Sequence, residues 1–155
     1  MMKLDRIDKK ILSLMQENGR ISNLELADQV GLSPTPCSRR VKQLEESGLI
    51  SRHVTLLNAE ALGLNLTAII GISMDRHTPD RFEAFEQAIV NMPEVLECSI
   101  VTGQAADFLL KVVVRDMRHY EEFLLGQLTK LSGVSGVHSS FVLRQVVNKT
   151  ALPLD

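Results

Sequence analysis

The chain has 155 residues, of which 45% are hydrophobic and 23% are charged, with a formal net charge of −2. This length suits one ordinary domain, or a small helical domain of about 50 residues followed by one of about 90. The sequence shows no signal peptide, no lipidation motif and no apolar run of roughly 18 residues, so we expect a cytoplasmic protein that does not enter membranes. Its two cysteines, Cys37 and Cys98, indicate no disulfide framework.

The first 31 residues predict two short helices. Apolar residues recur at intervals of three or four in the first of them: Leu4, Ile7, Ile11 and Leu14. In "SNLE", Ser22 and Glu25 form a capping box that begins the second helix, which Gly31 ends. Its expected core positions follow at three-residue spacing: Leu24, Ala27 and Val30.

A third helix begins at two prolines in "LSPTPCSRRVKQLEESGLI", residues 32–50. Proline costs little in a first turn because the N–H groups there have no intrahelical partner. Ser33 is therefore the expected N-cap, and Gly48 follows the last turn. At about 100° per residue, one side of the helix is apolar and carries Cys37, Val41 and Leu44. The opposite side carries Thr35, Ser38, Arg39 and Lys42, with Arg40 beside the apolar stripe.

The second and third helices are separated by a short turn, which predicts a helix-turn-helix. Three-helix domains of this kind also serve as protein-interaction modules, so the fold alone leaves function open. Residues 1–53 carry nine Lys and Arg against seven Asp and Glu, whereas the rest carries eight against twelve. This asymmetry favours nucleic acid as the partner of the first domain. Hydroxyl and cationic side chains reach phosphates and base edges, and the candidates are Ser33, Thr35, Ser38, Arg39, Arg40 and Lys42.

The C-terminal half predicts strands and helices in the order βαββαβ. Strands are expected over residues 66–74, 95–103, 107–115 and 137–147, and helices over 79–92 and 117–131. This order is typical of the ferredoxin-like fold, an antiparallel sheet with both helices on one face. Gly71 inside the first strand predicts a close backbone approach, either a bulge or a crossing at an interface. The other sheet face is too apolar to be fully solvated, so we expect another subunit to cover it.

The stretch "LDRIDKKILSLMQENGRISNLELADQVGLSPTPCSRRVKQLEESGLI" resembles the DNA-binding domain of the leucine-responsive/asparagine-regulator (Lrp/AsnC) family of transcription regulators. The stretches "VTGQAADFLLKVVVRDMRHYEEFL", "GVSGVHSSFVL" and "KTALPL" are similar to the family's ligand domain. Ser38 departs from the leucine that the family often has in the recognition helix. The resemblance implies an α+β protein: a winged-helix-like helix-turn-helix domain at 1–51, a linking strand and turn at 52–64, and a ferredoxin-like effector-binding and oligomerisation domain at 65–155.

The resemblance also implies the partners: double-stranded DNA, a free amino acid or related metabolite, and further copies of the chain as homodimers assembling into octamers or similar particles. A nucleoid-associated location follows from DNA binding. The implied effector site is the loop between the second and third strands with part of the last strand: Thr102, Gly103, Gln104, Ala105, Ala106, Asp107, Ser139 and Ser140. Backbone N–H groups of a glycine turn suit a carboxylate, and Asp107 suits an ammonium group. The alternative is a plain hairpin that Asp107 caps.

The effector loop departs from the family in its length. The usual pattern has an acidic residue three positions after the glycine, whereas Asp107 lies four positions after Gly103. Since an extra residue inside the ladder would reverse the facing of every later side chain, we expect a bulge or a wider turn to absorb it. The displaced carboxylate predicts a polar or altered amino-acid preference, or no effector binding.

The sequence contains no P-loop, dinucleotide fingerprint, nucleophile elbow or histidine pair at metal spacing. Its histidines are scattered and are expected at surface or edge positions: His53, His77, His119 and His138. We therefore expect no catalytic residues, no metal site and no cofactor. A DNA-organising regulator of the same architecture without an effector is the alternative, and a metal-sensing regulator is a third interpretation.

Overall fold

The computed structural model describes residues 3–103 and 105–154, which form two compact units. The helical unit comprises the residues up to Leu56 together with the C-terminal tail, residues 147–154. The sheet unit comprises Leu57–Val146. The tail therefore packs with the first unit, although the sequence placed it in a second domain of 65–155. Among the described residues, no helix is long and apolar enough to cross a membrane.

The helical unit contains α1 (Arg6–Glu17), α2 (Asn23–Val30) and α3 (Pro34–Glu46). The predicted capping box of α2 is confirmed, since Ser22 accepts the N–H of Glu25 and the Glu25 carboxylate accepts the N–H of Ser22. A second capping box, formed by Asp5 and Asp8, begins α1. Gly31 ends α2 with φ at 73°, in the left-handed region that glycine adopts at low cost. The three helices confirm the predicted helix-turn-helix.

The helical core is built from one face of each helix: Ile11, Leu12, Leu26, Ala27, Val30, Cys37 and Leu44. Cys37 is fully buried, and burial raises the pKa of its thiol, as expected of a structural cysteine. The predicted core position of Leu24 is wrong, because its side chain is 68% exposed. Residues of α2 turn by about 100° each, which puts Leu24 opposite the buried Leu26.

The sheet unit confirms the predicted βαββαβ order. Its elements are β1 (Leu66–Met74), α4 (Pro79–Ile89), β2 (Val95–Ile100), β3 (Phe108–Val114), α5 (Met117–Gly126) and β4 (Val134–Phe141). The strands are antiparallel and lie in the order β2-β3-β1-β4, so β1 is central. The last strand ends at Phe141, before the predicted residue 147.

Alternate residues of β1 and β3 point to a core beneath the two helices. The buried set includes Ala68, Ile70, Ile72, Phe108, Leu110 and Val112, packed against Phe85, Ile89, Tyr120, Phe123 and Leu128. The intervening residues define the open face of the sheet, whose central side chains are Ile69, Leu109, Lys111 and Val113. These four are half-buried rather than fully exposed. The alternation in β3 is unbroken from Phe108 to Val114, so this strand contains no inserted residue.

The segment between the units does not contain the predicted linking strand. Residues 51–58 have no regular secondary structure, and a single 3-10 turn over Glu60–Leu62 is followed by Gly63 with φ at 76°. An extended segment becomes a strand only when a neighbour accepts and donates its backbone hydrogen bonds, and the described chain supplies none here. The turn expected near Gly63 is present.

Candidate DNA-binding face and effector loop

One side of α3 presents the polar side chains that the wheel predicted. Thr35, Ser38, Arg39 and Lys42 are all exposed, whereas Cys37 and Leu44 on the opposite side are buried. The exposed residues, with Asn23 and Pro34, line a shallow depression of about 390 Å³. We refer to this surface as the α3 face. Its hydroxyls and cations suit a polyanion such as the phosphate backbone of DNA.

Asn23 is a member of this surface that the sequence analysis missed. Its Nδ2 donates to the carbonyl oxygen of Pro34 at 2.9 Å, which ties the first residue of α2 to the first residue of α3. The contact fixes how α3 begins relative to α2. The signal in the sequence was weak, since Asn23 is only the second letter of the capping box.

Ser33 occupies the N-cap position of α3, as predicted, but its side chain makes no capping hydrogen bond. The cause is local. A capping oxygen accepts from the second or third helical N–H; the third residue here is Pro36, which has none, so only the N–H of Thr35 is left to accept from. The exposed Ser33 hydroxyl therefore lies at the helix start beside the α3 face.

Arg40 is directed away from the exposed surface and toward the start of α1. Its Nη1 lies 2.7 Å from Asp5 Oδ2 and 2.8 Å from Asp8 Oδ1. The Asp8 side chain is only 9% exposed, so the Asp8 end of this ion pair is shielded from water. The backbone N–H of Asp8 and then the Arg40 guanidinium hold the pKa of Asp5 below its ordinary value. Arg40 thus positions α3 against α1, which resolves its ambiguous place on the wheel.

Replacing Arg40 by alanine is expected to lower the melting temperature by several degrees at pH 7, because it leaves Asp8 buried without its cation. The folded-state pKa of Asp5 is lowered, so its contribution to stability is present above its unfolded pKa of about 4 and is lost as the pH falls through the lower folded value. The difference from wild type should therefore shrink near pH 3. Thermal denaturation at both pH values measures this, with Arg39→Ala as control. Equal melting temperatures at pH 7 would contradict the positioning role.

The effector loop, residues 102–107, joins β2 to β3. It is closed by two backbone hydrogen bonds: Val101 N–H to the Asp107 carbonyl at 3.0 Å, and Asp107 N–H to the Ile72 carbonyl at 2.7 Å. Thr102, Gly103 and Ala105 are exposed, and Gly103 has φ at 80°. Gln104, which the sequence placed in this site, lies outside the described residues.

The effector loop lies against one end of the open face. Ser73 Oγ donates to the Ala105 carbonyl at 3.1 Å. A Cβ atom placed on Gly71 would lie 3.0 Å from the Cβ of Ala106, which is tighter than most real Cβ contacts. A close approach at Gly71 is thus present, but the approaching atom is a side-chain carbon of the loop, and no bulge lies at this position. The register shift of β1 against β4 lies elsewhere, between Ser73 and Met74.

Asp107 is already engaged within the sheet unit. Its Oδ2 accepts the N–H of Met74 at 2.7 Å, and its Oδ1 lies 2.8 Å from Nε2 of His77. The Asp107 side chain is 18% exposed, whereas His77 is 72% exposed. The carboxylate therefore caps the end of β1, much as the plain-hairpin alternative supposed, although it acts on the neighbouring strand. The sequence predicts a surface or edge position for His77 and gives no signal of this pair.

The two serines of β4 point to opposite faces of the sheet. Ser139 pairs with Ile70, and its hydroxyl hydrogen-bonds to that of Tyr120 from α5, so it lies on the helix side. Ser140 pairs with Ile69 on the open face. The structure therefore places Ser140, but not Ser139, on the face that carries the effector loop. His138, which pairs with Gly71, lies closer to the loop and was not predicted.

Comparison with known families agrees with both units. Residues 4–51 match the winged helix-turn-helix DNA-binding family, and residues 67–152 match the Lrp/AsnC ligand binding domain. The chain belongs to the Lrp/AsnC family. It is a DNA-binding transcription regulator with a ligand-binding domain, and the family is one of regulators rather than enzymes. The resemblance seen in the sequence is thereby confirmed.

Individual Lrp/AsnC relatives match over nearly the whole chain. The Bkd operon transcriptional regulator of Pseudomonas aeruginosa is 42% identical over 154 residues, which cover 99% of this chain and 100% of that protein. The leucine-responsive regulatory protein of Escherichia coli K12 is 42% identical over 149 residues, covering 96% of this chain and 90% of the relative. A transcriptional regulator of Neisseria meningitidis, solved as a crystal structure in complex with L-Met, is 42% identical to this chain. The two structures superpose with a TM-score of 0.95, over 99% of this chain and 98% of that chain.

Proposed function

We propose that this Lrp/AsnC regulator contacts operator DNA through the α3 face and that a free amino acid bound at the effector loop modulates its activity. The observation that carries the first part is the exposure of every polar member of the α3 face while Arg40 is tied to α1. In this proposal Arg39 and Lys42 neutralise phosphates and Ser33 binds a phosphate at the helix start. Thr35 and Ser38 reach base edges. Arg40 sets the angle of the helix and makes no contact with DNA.

The effector proposal is supported by the chemistry of the loop. Backbone N–H groups around Gly103 suit the carboxylate of an amino acid. Each oxygen of the Asp107 carboxylate has one hydrogen-bond partner in the sheet unit, and each has a second lone pair that can accept from an ammonium group. Ser73 and His138 line the neighbouring part of the open face, which favours an effector with a polar or polarisable side chain. The Neisseria meningitidis relative bound to L-Met supports an amino acid as the class.

We also propose that the chain forms homodimers through the open faces and that dimers assemble further, to octamers or a similar particle, in the cytoplasm. Ile69, Leu109 and Val113 give that face an apolar centre. Leu143 and Val146, which follow β4, are 100% and 80% exposed. Apolar surface of this extent favours burial by a second copy. Light scattering coupled to size exclusion measures the assembly, and a monomer at micromolar concentration would contradict it.

A second candidate is a DNA-organising regulator that binds no effector. It is favoured by the existing bonds of Asp107 to Met74 and His77, because these bonds already give the carboxylate a structural role. In that case Asp107 only holds the loop against the sheet unit.

A thermal-shift measurement with each of the twenty amino acids separates the two candidates. Binding to the native state alone is worth about 2.7 kcal/mol at one hundred times the dissociation constant, which raises the melting temperature by several degrees. We expect such a rise for at least one amino acid, and its loss in Asp107→Ala. Glu97→Ala, on the exposed edge strand, is the matched control. No rise with any amino acid, in protein that still binds DNA, would support the second candidate.

A further inference from the structure

One side chain of the helical unit, that of Gln16, makes two hydrogen bonds to the C-terminal tail. The Nε2 of Gln16 donates to the carbonyl oxygen of Leu152 at 3.1 Å, and the Oε1 of Gln16 accepts the Leu152 N–H at 2.6 Å. A single amide thus satisfies both backbone groups of Leu152, as a neighbouring strand would. This two-point contact recognises an extended backbone irrespective of the side chain at that position.

The tail forms one wall of a cleft of about 350 Å³ through Thr150, Leu152 and Leu154. Its apolar walls come from α1, from the residue before its cap and from the segment after α3: Leu4, Leu12, Met15, Leu49 and Ile50. Leu154 lines the cleft and is 36% exposed, whereas Leu152 is 71% exposed. Leu154 is therefore the apolar anchor, and Leu152 contributes mainly its backbone.

Pro153 lies between the two leucines and suits an extended ligand. It has no N–H to satisfy, and its ring fixes φ near about −65°, which an extended polyproline-like segment adopts. A segment that is already extended loses less conformational entropy when it docks. The tail therefore has three features of a peptide ligand: a backbone pair read by an amide, a rigid proline and an apolar anchor.

We infer that the helical unit contains a peptide-binding groove, centred on Gln16, for the chain's own segment "KTALPL", residues 149–154. The segment continues from β4 through residues 142–146, so its docking makes a second and reversible connection between the ligand-binding and DNA-binding parts of the chain. The ligand-domain match runs to residue 152, inside the docked segment, whereas Gln16 lies within the DNA-binding match.

Peptide binding in trans tests the groove. A chain ending at Val146 should bind a labelled peptide of residues 147–155 saturably. The full chain should bind the peptide at least about tenfold more weakly, because its tethered tail competes at a high effective concentration. Gln16→Ala in the shortened chain, or Leu152→Pro in the peptide, should abolish binding by removing the amide or the N–H. Binding of a scrambled peptide with equal affinity, or no binding by a folded shortened chain, would overturn the inference.

Proteolysis of the full chain provides a test that does not depend on truncation. Trypsin cleavage after Lys149 reports the undocked fraction of the tail, and cleavage after Arg144 is the internal reference in the sheet unit. Gln16→Ala should accelerate cleavage after Lys149 several-fold and leave cleavage after Arg144 unchanged. Glu17→Ala, at the neighbouring exposed position of α1, should change neither rate. Equal Lys149 cleavage in wild type and Gln16→Ala would show that Gln16 does not hold the tail.

Discussion

Replacing Arg39 and Lys42 together by alanine is expected to weaken DNA binding about 10- to 100-fold near 0.1 M salt, with little change in melting temperature. Both side chains are exposed on the α3 face, and Lys42 makes an exposed pair with Glu46 at 3.7 Å. Exposed ion pairs contribute little to stability, so the substitutions should lower the affinity for DNA rather than the melting temperature. The slope of log affinity against log salt should fall by roughly two units, one for each lost phosphate contact.

Fluorescence anisotropy with operator and with random DNA, at four or five salt concentrations, measures both quantities. The loss should be similar for the two DNAs, because phosphate contacts carry little sequence information. A charge-matched control removes two exposed cations of the sheet unit, Arg118 and Lys130, and should leave the slope unchanged. Wild-type affinity and slope in the Arg39 and Lys42 double variant would remove the α3 face from the interface.

Replacing Gly71 by valine is expected to lower the free energy of unfolding by about 1–3 kcal/mol and to abolish any amino-acid-induced thermal shift. Even the first added carbon would lie 3.0 Å from the Cβ of Ala106, so the effector loop must move. Gly136 on the neighbouring strand provides the matched control. A Cβ there would meet Ser73 at 3.5 Å, an ordinary contact, and Gly136→Ala should be tolerated.

A second-site change tests the cause of this loss. Gly71→Ala paired with Ala106→Gly removes the methyl group that clashes and should recover most of the stability and the thermal shift lost in Gly71→Ala. The double-mutant cycle therefore predicts strong coupling between the two positions. If Ala106→Gly gave no recovery, the close approach would not explain why glycine is present at position 71.

Local sequence patterns predicted the helices and strands but not the side-chain contacts between them. The bounds of β1 agreed with the prediction because its apolar run is continuous and polar residues flank it. The wheel of α3 separated Cys37 and Leu44 from the exposed polar residues for the same reason. The wheel could not predict the direction of the Arg40 side chain, since the two aspartates that bind it lie 32 and 35 residues earlier in the chain.

The effector loop shows the same limit of sequence analysis. Asp107 bonds to Met74 and His77 because the end of β1 lies beside the loop. This position is determined by the fold and cannot be seen in the local sequence. Ser139 and Ser140 were both assigned to the site, because adjacent strand residues cannot be assigned to a face without the register. The tail follows the last strand, so its sequence position places it in the second domain. Its contacts with Gln16 join residues 136 positions apart and leave no local signal in the sequence.

The helical unit is built from the first and the last segments of the chain, so it can be completed only at the end of translation. Its three helices are synthesised first and have mostly local contacts, so they can fold while the rest of the chain is still being made. The cleft between Leu12, Met15 and Ile50 lacks its ligand until residues 147–154 have been added. At about 5–20 residues per second this delay lasts on the order of 5–20 s, during which the nascent domain exposes an apolar surface to the ribosome and to chaperones.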